Sequence, residues 1–76
     1  EASFVAVDNG AQVSVSARSM GDVNVQVIME KLGGGGHLTM AGAQLRNTSL
    51  EEAKRRLLDA ISEYRESQRT EKQKNS

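Results

Sequence analysis

A chain of 76 residues holds one small domain at most and buries only about 60% of the surface its unfolded form exposes, so the core is thin. Ten Lys and Arg balance ten Asp and Glu, which excludes the large basic excess that marks electrostatic binding to long nucleic acid. There is no cysteine, hence no disulfide, thiolate metal site or cysteine nucleophile, and no apolar run approaches the roughly 20 residues of a membrane-spanning helix.

The chain opens within a residue of a strand, with neither an initiator methionine nor a signal-peptide pattern, and reads as a soluble piece of something longer. Ala2 to Asp8 is a short, mostly apolar run closed by Asn9-Gly10, a pair that readily supplies the positive φ of a tight hairpin. Residues 12–19 then alternate, with Val13, Val15 and Ala17 on one face and Ser14, Ser16 and Arg18 on the other. Such alternation predicts a half-buried strand paired with the first. It also sets Ser16 and Arg18 side by side on the polar face. Solvation accounts for Ser14, whereas Arg18 serves equally well as a solvated charge or as a fork for an oxyanion.

Ser19-Met20-Gly21-Asp22 breaks the strand, and Asp22 or Asn24 can cap a following helix. Val25, Ile28, Met29 and Leu32 recur at helical spacing and predict an amphipathic helix, although Val23, Val25 and Val27 pull towards strand. Four glycines, Gly33 to Gly36, then stop it ahead of the only histidine, His37. Ordering four glycines costs on the order of 4–8 kcal/mol. The run is therefore either a flexible linker or a loop ordered because something approaches its backbone closely, and a phosphate suits exposed amides best. It lacks the Gly-Lys-Ser/Thr of a phosphate loop, and the C-terminal end of a helix does not itself favour an anion.

Leu38 to Ala43 reads as a loop or single turn with small residues at a close packing point, leading into a third strand over Gln44 to Arg46. Ser49-Leu50-Glu51-Glu52 is a capping box. It opens a helix whose apolar stripe is Leu50, Ala53, Leu57, Ala60, Ile61 and Tyr64, with Glu51–Arg55 and Glu52–Arg56 as flanking pairs. Residues 65–76 contain no apolar side chain and are expected to form a disordered polar tail. The fold class is α+β, a small sheet in β-β-α-β-α order with helices packed on it. One histidine with scattered Asp8, Asp22 and Asp59 makes no metal site, and no nucleophile motif accompanies His37. Arg18 as fork and His37 as donor describe a binding half-site.

Ser16-Ala17-Arg18-Ser19, Asn24-Val25, Gly33 to His37 and Ala41-Gly42 together resemble the DHHA1 domain, the C-terminal lobe of the DHH/DHHA1 phosphoesterases, over residues 2–64. Met40 departs from the pattern, which usually has alanine there. The stretch from Val23 to Leu45 is most similar to the membrane-anchored bacterial cyclic-di-AMP phosphodiesterases. The resemblance implies a partial DHHA1 domain over residues 1–64 that binds substrate, while a DHH lobe elsewhere in the parent chain holds a pair of Mn²⁺ ions and hydrolyses cyclic-di-AMP to pApA. No cofactor is expected in this chain itself. Implied substrate contacts are Ser16, Arg18, Ser19, Asn24, Gly33, Gly34, Gly35, Gly36 and His37, with no catalytic or metal-binding residue. The implied partners are a cyclic dinucleotide or short oligonucleotide phosphate and the DHH lobe, without direct membrane contact, in a cytoplasmic domain of an anchored parent; homo-oligomers stay open. The competing reading is a nucleic-acid-binding lobe of a single-strand exonuclease or oligoribonuclease. Neutral charge and the lack of stacking rings disfavour it.

Overall fold

A computed structural model describes residues 1–75. Four strands, β1 (Ala2–Asp8), β2 (Gln12–Ser19), β3 (Gly35–Gly36) and β4 (Met40–Arg46), form one antiparallel sheet in the order β1-β2-β4-β3. Two helices, α1 (Val25–Glu30) and α2 (Leu50–Asn75), complete the α+β fold.

The β1–β2 hairpin forms where the alternation places it. Its turn is held by short polar side chains: Asp8 Oδ1 accepts from the Gly10 amide at 2.9 Å, and Asn9 Oδ1 accepts from those of Ala11 and Gln12 at 3.2 and 3.0 Å. Val13, Val15 and Ala17 of β2 and Ala41, Ala43 and Leu45 of β4 point to one side of the sheet. There they meet Val25, Ile28, Met29 and Leu32 from α1 and Ala53, Leu57, Ala60 and Tyr64 from α2 in a single core. These buried side chains leave the opposite face of the sheet to Ser3, Val5, Val7, Ser16, Arg18, Gln44 and Arg46, all exposed.

Both helices begin on capping side chains. Asn24 Oδ1 accepts from the Val27 amide at 3.2 Å, and Ser49 Oγ accepts from the Glu52 amide at 3.1 Å. Helical packing of Val25, Ile28 and Met29 into the core overrides the strand preference of the valines. At the other end of α1 the Gly33 amide donates to Glu30 O at 3.0 Å and the Gly34 amide to Met29 O at 2.9 Å. This pair of bonds, with Gly33 at φ 86°, is a Schellman stop, and its left-handed residue is why a glycine stands there.

Three details depart from the expectations. The glycine run contributes a strand of its own, and β4 starts at Met40 rather than Gln44, because β3 pairs with it as Gly35↔Gly42 and Gly36↔Ala41. Glu52 bonds Arg55 three residues on, and Arg55 also reaches Asp59 at 3.7 Å; the hydrogen bond with Glu52, and then its charge, hold the Arg55 pKa above its ordinary value. Finally α2 is helical through Asn75, so residues 65–75 of the expected polar tail continue the helix. Their Arg, Glu, Gln and Lys are good helix formers, and no glycine or proline follows Tyr64 to stop them. This extension gives the domain its 47 × 20 × 17 Å outline. Ser76 lies outside the described residues.

Candidate functional site

The open face of the sheet is built in rows, because residues opposite one another in antiparallel strands share a face. One row runs Ser3, Arg18, Met40, set by the pairs Ser3↔Arg18 and Arg18↔Met40. It ends at His37, whose amide donates to Met40 O at 2.7 Å while the Met40 amide returns a bond to His37 O at 3.3 Å. Arg18 and His37 thus stand two interstrand spacings apart, roughly 10 Å. The next row runs Val5, Ser16, Gly42, Gly35. Its last three members are a serine and two glycines, which makes a low floor beside the guanidinium.

The glycines of the run divide by task. A Cβ on Gly34 would overlap the Gly42 carbonyl oxygen and meet Ala43 Cα at 2.7 Å, and one on Gly36 would come within 2.6 Å of Met40 O. The visitor that approaches these two is strand β4 itself. Gly35 differs, since nothing lies within 4 Å of the position its Cβ would take. The Gly34 amide is engaged by Met29, so it is not free for a ligand. Gly36 faces Ala41 in a non-hydrogen-bonded pair, between the bonded His37–Met40 pair and Gly35–Gly42, so its amide points out from β4 at the sheet edge.

The His37 hairpin is fixed from two sides. The Val25 amide donates to Leu38 O at 3.1 Å, and the Ser19 amide donates to Thr39 O at 3.0 Å. Of the expected contacts, Ser16, Arg18, Gly35 and His37 are therefore brought together on or beside the open face. Ser19 and Asn24 are placed differently. Ser19 is buried on the helix side, its hydroxyl closing a turn with the Gly21 amide at 3.3 Å, and Asn24 caps α1. Gly42, marked in the sequence by the Ala41-Gly42 motif and as a close packing point but not as a ligand contact, pairs directly with Ser16.

Arg55 is paired with Glu52 and Asp59, and Lys31 with Glu63 at 3.3 Å, whereas the exposed Arg18 guanidinium, like that of Arg46 on the same face, has no hydrogen bond or ion pair among the described residues; what sets Arg18 apart is the depression beside it. This open depression of about 810 Å³ is lined also by Ser3, Thr39 and Met40. A planar, permanently charged fork with no internal partner is suited to a carboxylate or phosphate. Among the described residues no three His, Cys, Asp or Glu side chains group where they could hold a metal ion.

The DHHA1 domain family matches residues 1–67. The chain belongs to that family. Over 64 residues, 83% of its length, it is 59% identical to the cyclic-di-AMP phosphodiesterase GdpP of Geobacillus thermodenitrificans, covering 10% of that protein. It is 56% identical over 52 residues, 68% of its length, to the cyclic-di-AMP phosphodiesterase PdeA of Listeria monocytogenes, covering 8% of that protein. A more distant relative is the bifunctional oligoribonuclease and PAP phosphatase NrnA of Thermus thermophilus, 51% identical over 51 residues, which are 67% of this chain and 16% of that one. The DHHA1 chain thus spans about a tenth of the length of the cyclic-di-AMP phosphodiesterases it matches.

Proposed function

We propose that this DHHA1 domain is the substrate-holding lobe of a phosphodiesterase acting on cyclic-di-AMP, and that it presents the open face of its sheet to the nucleotide. Arg18 grips a phosphate, Ser16 adds a hydroxyl donor beside it, and Gly35 with Gly42 lets the ligand settle close to the backbone. His37 and the outward amide of Gly36 approach from the β3 edge. Ser19, Asn24, Gly33 and Gly34 act behind this face, by holding the Met20 turn, the start of α1 and the glycine run in place.

The observation that carries the reading is the exposed, unpaired Arg18 beside Ser16 and the glycine floor. Similarity to cyclic-di-AMP phosphodiesterases supplies the substrate class. Catalytic metals, in this proposal a Mn²⁺ pair, would be held by a DHH lobe of the same parent and would there supply an activated water for attack on the phosphodiester. This chain orients the ester for that attack and contributes no nucleophile.

The test is steady-state kinetics of the full-length phosphodiesterase carrying Arg18→Ala or His37→Ala. Loss of a charge-assisted phosphate contact predicts a fall in kcat/KM of about tenfold or more for Arg18→Ala, with the unfolding midpoint unchanged. Wild-type kinetics in both variants would remove these residues from the site.

A further inference from the structure

We propose that Met20 and Met40 form an apolar floor for a nucleobase next to the Arg18 phosphate site, which makes them specificity residues for base-bearing phosphates. The proposal rests on reading Arg18 as a phosphate ligand and adds what lies beside that phosphate.

Arg18, Met20 and Met40 line one depression of about 810 Å³, within the size range of small-molecule sites. Of the three methionines, Met20 is 95% and Met40 53% exposed, while Met29 is fully buried at 0%. Single exposed apolar side chains are ordinary on a protein surface. Two in the same depression, flanking an unpaired guanidinium, describe a ligand with an anionic end and a flat apolar end. Free phosphate or a sugar phosphate would satisfy Arg18 and leave both thioethers wet. A nucleotide covers them.

Methionine is suited to that task because its unbranched, polarizable thioether adapts to a ring face and makes favourable sulfur–aromatic contacts. No aromatic side chain lines this depression; Phe4 and Tyr64 border a different one, between β1 and α2. The backbone is fixed at both methionines, and their exposed side chains are free to fold onto a ring. Met40 is fixed by its register opposite Arg18, and the Met20 amide donates to Glu1 O at 2.8 Å.

The experiment is methyl NMR of the chain with labelled methionine, titrated with AMP and, separately, with ribose 5-phosphate, while the Arg18 side-chain resonance is followed in parallel. Both ligands should move Arg18. AMP alone should shift the Met20 and Met40 methyls upfield through the ring current of the base, with the buried Met29 methyl silent as an internal control. A Met20→Ser/Met40→Ser double variant should lose about tenfold in affinity for AMP and none for ribose 5-phosphate. If Arg18 responds to both ligands and the two methyls move no more with AMP than with ribose 5-phosphate, the base floor is overturned and the phosphate site stands. If neither ligand moves Arg18, the phosphate reading fails and the base floor with it.

Discussion

Gly34 lies so close to Gly42 that a Cβ on the first would overlap the carbonyl oxygen of the second. This contact explains why the glycine run is ordered: β4 occupies the space that side chains would need, and the entropy lost in fixing the glycines is offset by docking the run onto the sheet.

Gly34→Ala is therefore expected to destabilise the domain by about 3 kcal/mol, because the new methyl group meets backbone that cannot move aside cheaply. Gly35→Ala should stay within about 0.5 kcal/mol of wild type, since its methyl enters open space. Denaturant unfolding of the two variants separates the glycine packed against β4 from the one on the open face of the sheet. Gly35→Ala should still weaken nucleotide binding by raising the floor.

The Tyr64 hydroxyl accepts from the Asn24 amide at 2.9 Å and lies 3.5 Å from Asp22 O. It ties the last packed turn of α2 to the start of α1. Tyr64→Phe leaves a part-buried amide without its partner and should cost about 1 kcal/mol. In a domain of this size that lowers the thermal midpoint by about 4–8 °C.

Asn24 tests whether a residue that looks like a ligand contact acts instead as a cap. Asn24→Ala should lose about 1 kcal/mol of stability, and Asn24→Asp should recover most of it. If the proposed function holds, neither change should alter KM for cyclic-di-AMP in the full-length protein at temperatures where the variants remain folded. A raised KM in both would return Asn24 to the ligand.

How much of this could be read in advance depended on whether side chains announce their surroundings. The alternation of Val13, Val15 and Ala17 against Ser14, Ser16 and Arg18, with Asn9-Gly10 before it, was enough to place the hairpin and the polar face. Ser49 and the stripe from Leu50 to Tyr64 did the same for α2. Strand β3 was not legible because glycines carry no polarity pattern, and its partner Gly42 is fixed by backbone fit. Asn24 was legible as a cap of α1, while Ser19 and Asn24 entered the set of substrate contacts only through the family resemblance; in the structure both side chains bond nearby amides. Glu52 could reach a basic residue three or four positions on with similar ease, and the structure selects Arg55. The absence of a stopping residue after Tyr64 was visible in the sequence, but polarity alone pointed to a tail.

In the proposed function, substrate meets the sheet on the face that carries Arg18. Amide chemical-shift mapping of the chain titrated with cyclic-di-AMP tests that placement. The largest changes are expected at Ser16, Arg18, Gly35, His37 and Gly42, while Val25, Ile28 and Leu57 on the helix side stay still. Changes confined to the depression between β1 and α2, at Phe4, Ile61 and Tyr64, or a spectrum that does not change with ligand, would contradict it.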